Sequence, residues 1–212
     1  MIDRLEALFA HFREAESNLL RELQRKQQEF YYEVRKGKVH FSQEARARQK
    51  NFLKRLSAFI SDSRLLVILT TPLIWLCALP IVLLDLIVSI YQMICFPIYG
   101  IPKVRRADFI LLDRRRLAYL NFIEKLNCEY CTYANGILAY VTEIAARTEQ
   151  YWCPIKHALR RKGVHSRYEH FFDYGDAETY RLGIERVRRD FKDLESTKTE
   201  KIAADSVGGM SQ

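Results

Sequence analysis

Signals for turns and repeats are scarce in this chain. Its 212 residues hold eight glycines and five prolines, and four of those prolines (Pro72, Pro80, Pro97, Pro102) fall inside one apolar run. Internal repeats are absent, which excludes solenoids and propellers. The start, MIDRLEALFAHFREAE, has no cationic stretch followed by an apolar one, so no cleavable signal peptide is expected. No Lys/Arg stripe is interleaved with exposed aromatics, and a nucleic-acid partner is not expected despite the formal charge of +8. No convincing strand pattern is present, and the chain reads as all-α. Five cysteines, an odd number, argue for reduced thiols or metal ligands over disulfides in a chain that reads as facing the cytoplasm. The length suits one compact unit with appendages.

What is present in excess is apolar sequence at residues 65–102. These 38 residues contain no Lys, Arg, Glu or His and a single acid, Asp85. About 18 consecutive apolar residues already make a membrane span. One straight helix of this length would measure about 57 Å, nearly twice the hydrocarbon core of about 30 Å. The prolines supply places to bend, because each lacks an amide donor and disfavours helix in the residue before it. Arg46, Arg48, Lys50, Lys54, Arg55 and Arg64 precede the run; Lys103, Arg105, Arg106 and Arg114, Arg115 and Arg116 follow it. Cations on both flanks keep both flanks on the cytoplasmic side and draw them to anionic headgroups. The expectation is therefore a Pro-bent or re-entrant anchor over 64–102, either a hairpin turning near Pro80 or a shallow helix–break–helix. A single crossing is the alternative. Asp85 either pairs with a cation or sits at a bend near the interface. Cys77 and Cys95 read as packing residues.

Around the anchor the reading is helical throughout. In residues 2–34, Ile2, Leu5, Phe9, Phe12, Leu19, Leu23 and Phe30 recur at spacings near 3.5, with lapses at Glu16 and Lys26. Lys36–Gly37–Lys38 breaks this helix, and Ser42 can cap a second one bearing Phe52, Leu56, Phe59 and Ile60. The pair forms an N-terminal amphipathic helical hairpin over 1–63, available to a protein partner or to self-association. A cytoplasmic helical domain follows over 103–195. It is expected to hold a helix over 108–125, another over 137–149 after an Asn135–Gly136 turn, one starting at Pro154 with Cys153 as cap, and a last one over 177–194. Residues 196–212 read as a disordered tail.

One constellation can carry chemistry. Cys128 and Cys131 (C-x2-C) are followed, after twenty-one residues, by Cys153 and His157 (C-x3-H). These are spacings that close a tetrahedral Cys3His zinc site, and iron or an iron–sulfur cluster would use the same ligands. A helix starting at Pro154 would favour thiolate at Cys153. A redox dithiol at Cys128 and Cys131, or plain packing of the four residues, are the rival readings. Polar residues crowd nearby. Glu143 and Arg147 are spaced for a helix-face ion pair, whereas Glu149, His165 and His170 are candidates for acid–base chemistry or further ligation. No Glu-x-x-His pair is present, which argues against a di-iron bundle.

The runs FPIYGIPKVRRADF, DRRRLAYLNFIEKLNCEYCTYANG and EIAARTEQYWCPIKHA resemble an uncharacterised family of bacterial membrane proteins over about residues 85–180. The resemblance implies bacterial origin and a membrane location, and brings no activity with it. Two functional expectations stand. One is a protein of the bacterial inner membrane, its soluble parts facing the cytoplasm, with a structural zinc site and a role in assembly or scaffolding. The other is a membrane-surface enzyme, thiol-redox or metal-assisted, acting on a lipid-linked or quinone-like substrate.

Overall fold

The computed structural model describes residues 2–35, 38–61, 64–160 and 162–194, with side chains from Glu14 onward except at position 57. The chain divides into two compact units, one of Met1–Leu69 with Leu112–Tyr130 and the other of Thr70–Leu111 with Cys131–Gln212. Helix dominates both.

In the first unit, helix α1 (Ile2–Glu29) leads into an antiparallel hairpin of β1 (Tyr32–Arg35) and β2 (Lys38–Phe41), in register Tyr32 to Phe41 and Val34 to Val39. The hairpin corrects the all-helical reading. Tyr32, Val34, Val39 and Phe41 are β-branched or aromatic residues at period two, a pattern that stabilises paired strands. The Lys36–Gly37 break itself lies outside the described residues. Helix α2 (Gln43–Lys50) starts as expected from Ser42, whose hydroxyl accepts the Ala45 N–H at 3.1 Å. It stops at Asn51, and a separate short helix α3 (Leu56–Ser61) follows.

Next comes the apolar run. Helix α4 (Leu65–Leu76) continues through one turn residue, Cys77 (φ −65°, ψ −16°), into helix α5 (Ala78–Tyr99). Together, Leu65–Tyr99 is a stretch of 35 residues, long and apolar enough to cross a membrane. The chain does not reverse at Pro80. That proline occupies the first turn of α5, where a missing N–H costs little, and the break falls at Cys77 instead. Gly100 (φ 68°) ends α5 in the left-handed conformation that glycine adopts freely, with the Ile101 N–H bonded to Phe96 O at 2.9 Å.

The expected helix over 108–125 is not formed. The segment is extended, interrupted by single 3-10 turns at Arg106–Asp108 and Arg114–Arg116. Helix α6 (Phe122–Trp152) begins only at Asn121, where a capping box operates. The Asn121 side chain accepts the Glu124 N–H at 3.0 Å, and the Glu124 carboxylate accepts the Asn121 N–H at 2.8 Å. Asn135 and Gly136 lie inside α6 and not in a turn. Asn135 bonds back to Cys131 O at 2.8 Å, and Gly136 is small because a Cβ there would meet Phe109 O at 2.7 Å.

No helix starts at Pro154. Residues 154–156 pair with Phe172 as a single parallel bridge, with Phe172 N–H to Pro154 O and Lys156 N–H to Phe172 O both at 2.8 Å. The last helix, α7 (Ala177–Val187), is capped by Asp176 and is shorter than the sequence pattern implied. The tail expected to be disordered lies outside the described residues.

Within the second unit, α5 and α6 run side by side in the same direction. Asp85 meets Tyr133, Gln92 meets Tyr140, and Tyr99 stacks on Tyr151 with ring centroids 4.9 Å apart. Two parallel neighbours require the chain to travel back between them. Residues 101–111 do so along the seam, Val104 at the level of Gln92 and Arg106 at the level of Asp85. The buried core is Phe96, Ile101, Val104, Tyr140, Ile144 and Phe191.

Candidate functional site

Helix α5 has two unlike faces, and its sequence explains both. Asp85, Ser89 and Gln92 recur at i, i+4 and i+7, which places them on one stripe of an otherwise apolar helix. That stripe packs on the seam. Asp85 accepts hydrogen bonds from Arg106 (2.7 and 3.2 Å), Tyr133 (2.8 Å) and Ser89 (3.3 Å). Of the two readings of Asp85, the cation partner is the one found: Arg106, just beyond the apolar run. Burial and the neighbouring carboxylate both raise the Tyr133 phenol above its ordinary pKa, so it stays protonated and donates.

Gln92 clamps the returning chain as a strand would. Its Oε1 accepts the Val104 N–H at 2.9 Å, and its Nε2 donates to Val104 O at 3.3 Å and to the Tyr140 hydroxyl. The opposite face is bare: Leu79, Val82, Leu83, Leu86, Ile87, Ile90, Met93, Ile94 and Ile98 are all exposed. Helix α4 is bare nearly all round, with Leu65, Leu66, Leu69, Leu73 and Leu76 each more than 60% exposed. Soluble proteins rarely leave a contiguous apolar surface of this size uncovered.

At the far end of α6 a second polar assembly ties the unit together. Arg167, only 1% exposed, donates to Gln150, to Asp193 and to Asp190 O at 3.0 Å, and lies over the Phe191 ring. Gln150 in turn donates to Val187 O and Asp190 O, both at 2.8 Å. Burial works against the Asp193 carboxylate, but the hydrogen bond and charge of Arg167 outweigh it and hold the group below its ordinary pKa. Glu143 and Arg147 form the expected i, i+4 pair at 2.8 Å, extended by Ser166 to Glu143 (2.6 Å) and by Arg147 to Pro102 O (2.8 Å).

Of the acid–base candidates, Glu149 and His165 are brought together. His165 Nε2 lies 3.0 Å from Glu149 Oε2, off the line of a good hydrogen bond, while Nδ1 accepts the Arg167 N–H at 3.2 Å. His170 is elsewhere, 3.9 Å from Asp193, so the two histidines share no ligand site. His165 is closed in by the Tyr168 and Phe171 rings. The hollows lined by Tyr31 and His40, by Asp176 and Tyr180, and by Val39 and Leu117 do not include Glu149, His165 or His170 in their walls.

The Cys/His constellation is spread along α6. Cys131 and Cys153, one inside this helix and one just past its end, are separated by 22 residues of continuous rise, or about 33 Å, too far to share an ion. Cys128 is one turn before Cys131 on the same helix, and none of the three cysteines is in a disulfide. Cys153 follows the C-terminus of α6, its N–H bonded to Glu149 O at 2.7 Å, and so is not the cap of a helix starting at Pro154. His157 sits in the loop beyond Pro154, exposed, its N–H bonded to the Tyr168 hydroxyl at 3.0 Å. Among the described residues no group of three or more His, Cys, Asp or Glu is arranged to hold a metal ion. Zinc, iron and an iron–sulfur cluster all lack an assembled ligand set there.

Sequence reasoning missed Gln92 and Tyr140, and it counted Gln150 and Arg167 only among the polar residues that crowd the cluster, with no role. The seven-residue step from Asp85 to Gln92 within an apolar run was the available signal for the first. Compared with protein-family models, with curated proteins and with solved structures, the chain matches none.

Proposed function

We propose that this chain is a monotopic membrane protein that serves assembly or scaffolding at one face of the bilayer, with Leu65–Tyr99 embedded in a single leaflet. One observation carries the reading. The first unit joins residues from both sides of the apolar stretch, the Ala118 N–H donating to Gln49 Oε1 at 2.9 Å. A helix that crossed the bilayer would put its two flanks on opposite sides, so the stretch enters and leaves by the same face. The returning segment supports this. Its irregular backbone carries Lys103, Arg105, Arg106 and Asp108 alongside α5, and such a chain does not run through hydrocarbon.

On this reading α5 lies at the lipid boundary, with its bare face in the acyl region and its polar stripe on the protein. Helix α4, at 12 residues and about 18 Å too short to cross alone, sits in the same leaflet. Basic residues on both flanks meet anionic headgroups, each contributing about 1 kcal/mol near a charged surface. By the positive-inside rule the aqueous parts face the cytoplasm. Scaffolding is favoured over catalysis because the candidate acid–base residues do not converge on one site: Glu149 and His165 lie together beside the Tyr168 and Phe171 rings, whereas exposed His170 lies beside Asp193.

Depth measurement tests the reading. Trp75 and Trp152 are the only two tryptophans, so a Trp152→Phe variant reports from near the end of α4, about a third of the way along the apolar stretch, alone. In vesicles of brominated lipids, Trp75 is expected to be quenched more by bromines near the headgroup end of the acyl chain than by bromines near its terminus. The reverse order would place Trp75 at the bilayer centre and overturn a single-leaflet anchor.

A further inference from the structure

Helix α1 carries an apolar stripe that its own unit leaves open. Leu19, Leu20, Leu23 and Phe30 are 47–60% exposed. The β-hairpin meets α1 from the side of Gln24, Gln27 and Gln28, whose mean direction lies about a third of a turn from that stripe. The stripe follows a 3-4 repeat through positions 16, 19, 23, 26 and 30, the spacing of a coiled-coil seam. Two of those seam positions hold Glu16 and Lys26, the residues that make the helix a poor match to a regular heptad.

We infer that α1 pairs with α1 of a second copy of this chain, antiparallel, about a two-fold axis at the level of Arg21. Glu16 lies five residues before Arg21 and Lys26 five after it; Leu19 lies two before and Leu23 two after. In an antiparallel pair about that axis, each Glu16 faces the other copy's Lys26 and each Leu19 faces the other's Leu23. Every layer so formed joins an a position to a d position, the pairing that antiparallel coiled coils use.

The competing arrangements leave charge unmatched. A parallel pair sets Glu16 against Glu16 and Lys26 against Lys26. Shifting the antiparallel register by one heptad sets Glu16 against Leu19, or Lys26 against Leu23. The two lapses in the apolar pattern thus select one partner geometry, a device by which polar seam residues fix register and orientation. Leu20, at the edge of the seam, widens the apolar contact. Glu22 lies on the opposite edge near its own symmetry mate, but each copy is already paired with Arg25 at 2.6 Å, which removes most of the repulsion. On pairing, Lys26 exchanges an exposed contact with Glu29 (2.8 Å) for Glu16 of the other copy.

The test is a charge swap in the full-length chain, purified in detergent and sized by light scattering that separates protein from detergent mass. The wild type is expected at twice the 25.1 kDa of one chain. Glu16→Lys alone and Lys26→Glu alone are each expected to weaken dimerisation at least tenfold and to run as monomers at the same concentration. The double variant, Glu16→Lys with Lys26→Glu, is expected to dimerise like the wild type. The two single variants, mixed, are expected to form a heterodimer that an affinity tag on one recovers with the other. Both substitutions lie on an exposed helix face, and unchanged circular dichroism checks that the fold is intact. A monomeric wild type overturns the inference. So do single variants that remain dimers, and so does a double variant that fails to recover. If the apolar stripe of α1 instead lies on the membrane, the wild type is monomeric in detergent and binds vesicles through α1.

Discussion

Replacing Gln92 with leucine tests whether the returning chain is held between α5 and α6 as described. Leucine has nearly the volume of glutamine, so Gln92→Leu removes hydrogen bonds without opening a cavity. Three groups then lose a partner: the N–H and the C=O of Val104, and the hydroxyl of Tyr140. Val104 is 4% and Tyr140 1% exposed, so water cannot replace what is lost. A buried group left unsatisfied costs about 1–3 kcal/mol, and with partial relaxation the three together come to about 2–5 kcal/mol. For a chain of this size each kcal/mol moves the melting temperature by about 2–4 °C, giving a fall of about 4–20 °C. The assay is thermal unfolding of the detergent-solubilised protein followed by circular dichroism. The sign is informative. If Gln92 faced lipid, leucine would make the helix more apolar and raise its stability. Tyr140→Phe removes one partner and leaves both Val104 bonds, so its cost is smaller, about 1 kcal/mol. A Gln92→Leu protein that melts at or above the wild-type temperature would refute the clamp.

Other perturbations have equally definite outcomes. Gly136→Ala puts a methyl 2.7 Å from the Phe109 carbonyl, a backbone atom that cannot swing aside, and should destabilise by about 1–3 kcal/mol in the same melt. Arg167→Met strands Gln150 and Asp193; the expected loss is about 2–4 kcal/mol, below the full buried-pair value because Asp193 is half exposed, and Arg167→Lys should not restore it. Since the folded Asp193 carboxyl lies below its ordinary value, its stabilising contribution is complete at neutral pH and is lost as the pH falls below about 4. Asp193→Asn should therefore flatten the acid limb of stability against pH. Elemental analysis should find well under one zinc per chain, and Cys131→Ser should melt within about 1 °C of the wild type, because the cysteine on α6 is exposed and its would-be partner is about 33 Å away.

The elements legible in the sequence were those whose signal is local. The apolar run announced a helix by composition, Ser42 announced α2 by its hydroxyl, and Glu143 and Arg147 announced their pairing by spacing. Basic residues on both flanks pointed to a common side, an expectation that the proposed single-face anchor keeps. What escaped depends on distant partners. Residues 108–121 have helical composition, yet they lie extended along neighbouring helices, and Gly136 looks like a turn until Phe109 is seen against it. The hairpin over Tyr32–Phe41 escaped because a period of two over four residues is overshadowed by the long helical pattern before it. The cysteine spacing suggested a zinc site on the assumption that Cys128 and Cys131 lie in a turn and that a helix starts at Pro154. One continuous helix from Phe122 to Trp152 removes both conditions.

The central claim is that the apolar stretch enters and leaves the membrane by one face, and sidedness measures it most directly. In a variant whose five cysteines are replaced by serine, a single reporter is introduced as Glu44→Cys before the stretch or as Lys162→Cys after it, both exposed positions. Sealed vesicles of either orientation are then treated with a membrane-impermeant maleimide. Labelling of both reporters in inverted vesicles, and of neither in right-side-out ones, is the predicted result. Labelling of the two reporters from opposite sides would mean a true crossing and would contradict the account.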